Sequence, residues 1–109
     1  WLTLKEEKKQ LSQYLEELGY QTVAIYGWGI LGKHLYKELK DSKIEIAYAI
    51  DRQREKGGSH IKVAAPEDTW DDVDVIIVSA TFDYRNIRKL IKEKTDIDVI
   101  SLEQILMEI

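Results

Sequence analysis

This chain has no cysteine, a single proline, one methionine, one phenylalanine and two histidines in 109 residues. Each scarcity removes a class of answer. Without cysteine there is no disulfide framework and no thiolate-ligated zinc, and the usage fits a reducing compartment. With only His34 and His60 available, no Ser/His/Asp order, no HExxH pattern and no paired carboxylates stand out. His34 reads as a surface or edge residue of a helix, and His60 as a loop histidine without an identifiable carboxylate partner. No apolar run approaches the ~18 residues a membrane-spanning helix needs, and no basic-then-apolar leader opens the chain. Positive charge is also scarce. Sixteen Lys and Arg stand against twenty Asp and Glu, a net charge of −4, whereas nucleic-acid modules usually carry a concentrated basic patch. The densest basic groups (Lys5, Lys8, Lys9; Arg52, Arg54, Lys56; Arg85, Arg88, Lys89) all lie near acids. The expectation is a cytoplasmic protein with no nucleic-acid partner, no membrane span and no metal.

What is present describes an ordinary globular domain: 44% hydrophobic and 33% charged residues in a length that suits one core and not two. A chain opening on Trp1 rather than Met is expected to be a piece of a longer protein. Its organising stretch is Thr22 to Leu39, TVAIYGWGILGKHLYKEL. An apolar strand leads into a glycine turn and then a helix, the order of a nucleotide-binding βα unit. Gly27 permits the tight turn, Gly29 removes a side chain that would block a phosphate, and Gly32 lets the helix lie close to the strand. A helix starting there aims unpaired N–H groups and the positive end of its dipole at an anionic ligand. The acid that completes the pattern is Asp51, nineteen residues after Gly32.

Periodicity lays out the remainder. Leu4 to Leu18 has helical spacing and Gly19 as its stop, giving an amphipathic helix (residues 1–18) ahead of the fold proper (residues 20–109). It packs on its own domain or forms a seam to another. Strands are predicted at Tyr20–Tyr26, Ile44–Ile50, His60–Val63, Val73–Ser79 and Asp98–Ser101. Helices are predicted at Ile30–Lys40, Pro66–Trp70 (short), Tyr84–Lys94 and Leu102–Ile109. The second strand, nearly continuous in apolar residues, suits a parallel strand covered on both faces. Arg52 to His60 is polar, glycine-containing and too short for a crossover helix. The pattern is α/β: a Rossmann-like, doubly wound parallel sheet of about five strands in the order 3-2-1-4-5, with an extra N-terminal helix.

In such a sheet the crevice lies beyond the carboxyl ends of the strands, where the winding reverses. That rule gathers Gly27, Trp28, Gly29, Ile30, Leu31 and Gly32 from the first turn, Asp51 and Arg52 after the second strand, and Ser79, Ala80, Thr81 and Phe82 after the fourth. Asp51 can accept from ribose hydroxyls, which disfavours a 2′-phosphate, although Arg52 beside it acts the other way; its alternative is a turn acid. Ser79 and Thr81 can donate to phosphate or sugar oxygens, while Thr81 or Asp83 can instead cap the helix that follows. Trp28 is a large side chain where small ones are usual. It either covers or stacks on a ligand, or fills part of the pocket. The acids Glu67, Asp68, Asp71, Asp72 and Asp74 read as a solvated turn, since the ligand spacing and glycine bend of a hard-cation loop are missing.

The segments AIYGWGILGKHLYKEL, AYAIDR, Pro66-Glu67-Asp68, DVDVIIVSATFDYRNIRKLI and DVISLEQIL, in this order, resemble the Rossmann-like domains attached to bacterial polysaccharide-building enzymes: nucleotide-sugar dehydratases, sugar acyltransferases, capsule glycosyltransferases and methyltransferases. The resemblance covers roughly residues 20–109. It implies that Gly27, Gly29, Gly32 and Asp51 contact a nucleotide, that Ser79 to Phe82 border its sugar or nicotinamide end, and that the reaction takes place in another domain. Trp28 departs from the family pattern. The function expected is therefore a non-catalytic domain binding a nucleotide, NAD or a nucleotide-sugar, partnered by the catalytic domain of its parent protein, a glycosyltransferase or other sugar-modifying enzyme, and capable of homo-oligomerisation. The alternatives are the NAD-binding half of an oxidoreductase or dehydratase, and a ligand-free scaffold whose contact surface is the N-terminal helix through Leu4, Leu11, Leu15 and Leu18.

Overall fold

The computed structural model describes residues 4–52, 61–79 and 83–108, with side chains from Leu11 onward. Its elements alternate along the chain as α1 (Leu4–Glu17), β1 (Thr22–Tyr26), α2 (Ile30–Leu39), β2 (Glu45–Ile50), β3 (Val63–Ala64), β4 (Val75–Val78), α3 (Tyr84–Lys94), β5 (Asp98–Ser101) and α4 (Leu102–Glu108). The strands form one all-parallel sheet in the order β3-β2-β1-β4-β5, the doubly wound arrangement that the sequence predicts. Parallel neighbours require crossovers, and right-handed crossovers put α2 and α3 on opposite faces.

Alternation along β1 sorts the core into two layers. Val23 and Ile25 face the side carrying α1, α2 and α4, where they meet Leu11, Leu15, Leu35, Leu39, Leu102 and Ile105. Ala24 and Tyr26 face the other side, against Ile76, Val78, Ile91, Trp70 and Ile87. Helix α1 thus belongs to this domain's own core: Leu11 and Leu15 are buried, and Leu18, just past its end, is half-exposed. A scaffold surface made of Leu11 and Leu15 is overturned by that burial. α1 ends in a Schellman motif, with Tyr20 N–H donating to Leu15 O, Gly19 N–H to Glu16 O, and Gly19 at φ +87°.

Beyond shifts of one or two residues at the ends of β1, α2, β2 and β4, two predicted elements differ in kind or place. The third strand is Val63–Ala64 rather than His60–Val63, with His60 outside the described residues. No helix forms over Pro66–Trp70. Asp68 and Ala65 close a tight turn there instead, through Asp68 N–H to Ala65 O (3.0 Å) and Ala65 N–H to Asp68 Oδ2 (2.9 Å). A side chain that bonds its own local backbone competes with helix formation. The chain then crosses the second face as an extended segment, pinned by Trp70, whose indole donates to Ala65 O and stands edge-on to Tyr26.

Strand β2 is not covered evenly. Glu45 and Ala47 are exposed, and full burial begins at Tyr48. Its pairing with β1 slips at Ala47: Val23 opposes Ile46 while Ala24 opposes Tyr48. One extra residue in a strand turns every later side chain to the other face. Tyr48 is thereby directed to the α3 side, where its hydroxyl donates to Asp71 O (2.6 Å). Burial, with the carboxylates of Asp71 and Asp72 nearby, pushes its phenol up to about 12.

Candidate functional site

The Gly27–Gly32 turn is held from three directions. Gly27 sits at φ +103°, in the region that glycine alone enters cheaply. Its N–H donates to Ile50 O at the end of β2 (2.7 Å). Its carbonyl accepts from the Ser79 hydroxyl (2.9 Å), which also lies 3.1 Å from Tyr26 O. From above, α2 presses so close that a Cβ built on Gly32 would stand 1.9 Å from Gly27 O. The third glycine is therefore required by the contact between helix and turn.

Gly29 has the opposite surroundings. A Cβ added there meets no atom within 4 Å, and its φ of −87° is open to any residue. Gly29 is also the N-cap of α2, which has no side-chain cap and no acid in its first turn. The space in front of Gly29 is thus faced by the positive end of a helix whose first N–H groups lack a side-chain acceptor, an arrangement that stabilises an anion. Ile30 and Leu31 stand exposed beside it, Ile30 at 89%.

Trp28 does neither thing expected of it. Its indole is buried on the α2 side of the sheet, edge-on to Tyr36 at 5.6 Å between ring centres and packed with Leu35. Turned away from the open side of Gly29, it anchors the turn to the core. Its backbone N–H donates to Asp51 Oδ2 at 2.7 Å. The predicted acid and the predicted turn are therefore in direct contact across twenty-three residues of chain. The slip at Ala47 makes this contact available: because it reverses the facing of β2, Asp51 emerges on the α2 side. Nothing in the run IEIAYAI signals the slip, and sequence reasoning missed it.

The other predicted site residues fall as follows. Arg52 is exposed, one residue past Asp51. Ser79 is buried at the end of β4, its hydroxyl directed at the backbone of the turn, where it splints β1 to β4. Ala80, Thr81 and Phe82 lie outside the described residues. Asp83 takes the N-cap position of α3 at φ +61° without a side-chain cap bond; its carboxylate accepts from the Asn86 side chain instead. His34, exposed on α2, lies 3.1 Å from the carboxylate of Glu38, which is buried one turn further along the helix. At the carboxyl end of β1, burial raises the Tyr26 phenol above its usual range.

Among the described residues, no three His, Asp or Glu side chains are grouped as a metal site, and no helix is long and apolar enough to cross a membrane. No protein-family model, curated protein or solved structure matches the chain.

Proposed function

We propose that this domain binds a nucleotide, or the nucleotide part of a nucleotide-sugar, across the Gly27–Gly32 turn, and that it serves chemistry performed by another domain of a polysaccharide-building protein. One observation carries the reading: Gly29 opens onto unfilled space at the uncapped start of α2, while Gly27 and Gly32 are each committed to shaping the turn. A phosphate seated there receives backbone N–H groups and the helix dipole together. Ile30 and Leu31 offer apolar cover beside it. Asp51 is held at the edge of the turn by the bond from Trp28 N–H, at the strand end where an acid can face a ribose. The assignment to polysaccharide building rests on the resemblance of the five sequence segments alone.

Isothermal titration of the chain with NAD, NADP, coenzyme A, UDP-sugars and CDP-sugars tests this. Saturable binding of at least one is expected, with NAD preferred over NADP because a 2′-phosphate would approach the Asp51 carboxylate. Binding should be lost in Gly29→Ala. No heat from any of these ligands, at concentrations that saturate ordinary nucleotide sites, would sink the proposal.

A further inference from the structure

We propose that the chain pairs with a second copy of itself through the outer surface of α3 and the extended segment before β4, the basic flank of each copy facing the acidic segment of the other. On α3, Arg85, Arg88, Lys89 and Lys92 recur at i, i+3, i+4 and i+7, which places them on one flank of the helix. Arg85, Arg88 and Lys89 are exposed, and among the described residues none of them forms an ion pair. In the segment before β4, Glu67, Asp71 and Asp72 are exposed and likewise form no ion pair among the described residues. Two blocks of opposite sign thus stand in one molecule without neutralising each other.

They are held in a fixed arrangement on either side of α3, with Leu90 between them on the outer surface of the helix. Lys94, in the last turn of α3, donates to Pro66 O (2.6 Å) and to Asp68 O, and its ammonium lies 4.2 Å from the centre of the Trp70 ring. A positive block fixed in place relative to a negative one is complementary to itself under a two-fold rotation, which superposes plus on minus twice. Leu90, 57% exposed on the same helix, adds apolar surface.

The charge distribution selects this partner over an extended polyanion. Helix α3 holds five basic residues against Glu93 alone, +4 in a chain of net −4, so the remaining residues hold −8. A nucleic acid reaching beyond the helix would meet a chain that is otherwise net negative, beginning with the exposed Glu67, Asp71 and Asp72 of the segment before β4. A second copy presents its acids only where the first presents its bases. Charge complementarity supplies register and encounter rate more than tightness, so the dimer is expected to be weak and sensitive to salt.

Sedimentation of the 109-residue chain over a range of concentrations reads this directly. A monomer–dimer equilibrium is expected, weakened about tenfold or more between low and high salt. Arg88→Glu with Lys89→Glu, and separately Asp71→Lys with Asp72→Lys, should each give folded monomers by circular dichroism and sedimentation. An equimolar mixture of the two variants should restore the dimer, since each then offers the block that the other needs. Monomers at every concentration would overturn the proposal, as would a dimer indifferent to both reversals or a mixture that stays monomeric.

Discussion

Replacing Gly32 with alanine separates the glycine that shapes the turn from the one proposed to face a ligand. The added Cβ would lie 1.9 Å from Gly27 O, about 1.1 Å inside the 3.0 Å that real Cβ atoms keep. Neither atom can rotate away, because the oxygen belongs to backbone held by Ser79 and by the bond from Gly27 N–H to Ile50 O. The helix must lift off the turn, at the upper end of the ~1–3 kcal/mol typical of overpacking. Alanine inside a helix returns about 1 kcal/mol over glycine, which leaves a net loss of ~2 kcal/mol. For a domain of this length that corresponds to a fall in Tm of about 8 °C. Gly29→Ala is the control. With nothing within 4 Å and an unstrained φ, the loss of a good N-cap residue and the reduced freedom of the unfolded chain offset each other to within ~0.5 kcal/mol. Urea unfolding of both variants, followed by nucleotide titration, is the assay. The reasoning fails if Gly32→Ala is as stable as the parent, or if Gly29→Ala is the more damaged of the two.

Trp28→Ala should cost ~3–5 kcal/mol by emptying a core site, measured by denaturant unfolding; a loss of ligand affinity with unchanged stability would show the indole to be a ligand contact after all. The raised Tyr48 phenol stabilises the fold fully below its unfolded value of 10.0, and that contribution disappears as pH rises toward about 12. Tyr48→Phe should therefore flatten part of the alkaline stability loss, seen by unfolding across that range, while itself costing ~1 kcal/mol at neutral pH for the bond to Asp71 O. At the amino end of the sheet, N–H groups of Gln21 and Thr22 hold the Asp74 carboxyl below its usual value. Its stabilisation is present above the unfolded value of 3.8 and is lost as pH falls through the lower folded value. Asp74→Asn should make acid unfolding less steep, and an unchanged acid limb would remove Asp74 from the account.

The strand order and the placement of the four helices among the described residues were legible because each follows from local pattern plus crossover handedness; the same rule brings Asp51 near the glycine turn, but not the contact itself, which depends on the slip at Ala47. Tyr84–Lys94 and Asp98–Ser101 have the predicted bounds, since apolar spacing is unambiguous there. The turn at Pro66–Trp70 was misread because Pro66, Glu67 and Asp68 imitate a helix start, while Asp68 bonds back to Ala65 and closes the chain instead. The directions of the Trp28 and Ser79 side chains were not legible: the indole enters the core beside Leu35 and Tyr36, and the hydroxyl bonds the backbone of the turn. Residue spacing locates a side chain along the turn, but the direction in which it leaves the backbone is decided by the packing of α2 and by Ser79 spanning two strands.

The slipped pairing at Ala47 bears on what a fingerprint measures. Counting residues from the last glycine to the acid records distance along the chain, whereas the meeting of Asp51 with Trp28 depends on whether the strand between them has an odd or an even number of reversals. Two sequences with the same count can present the acid on opposite faces of the sheet, and two with counts differing by one can present it on the same face. In this chain a single deletion at Ala47 would shorten the count by one, make the pairing of β2 with β1 regular, and leave Asp51 on the same face, still directed at the turn it supports.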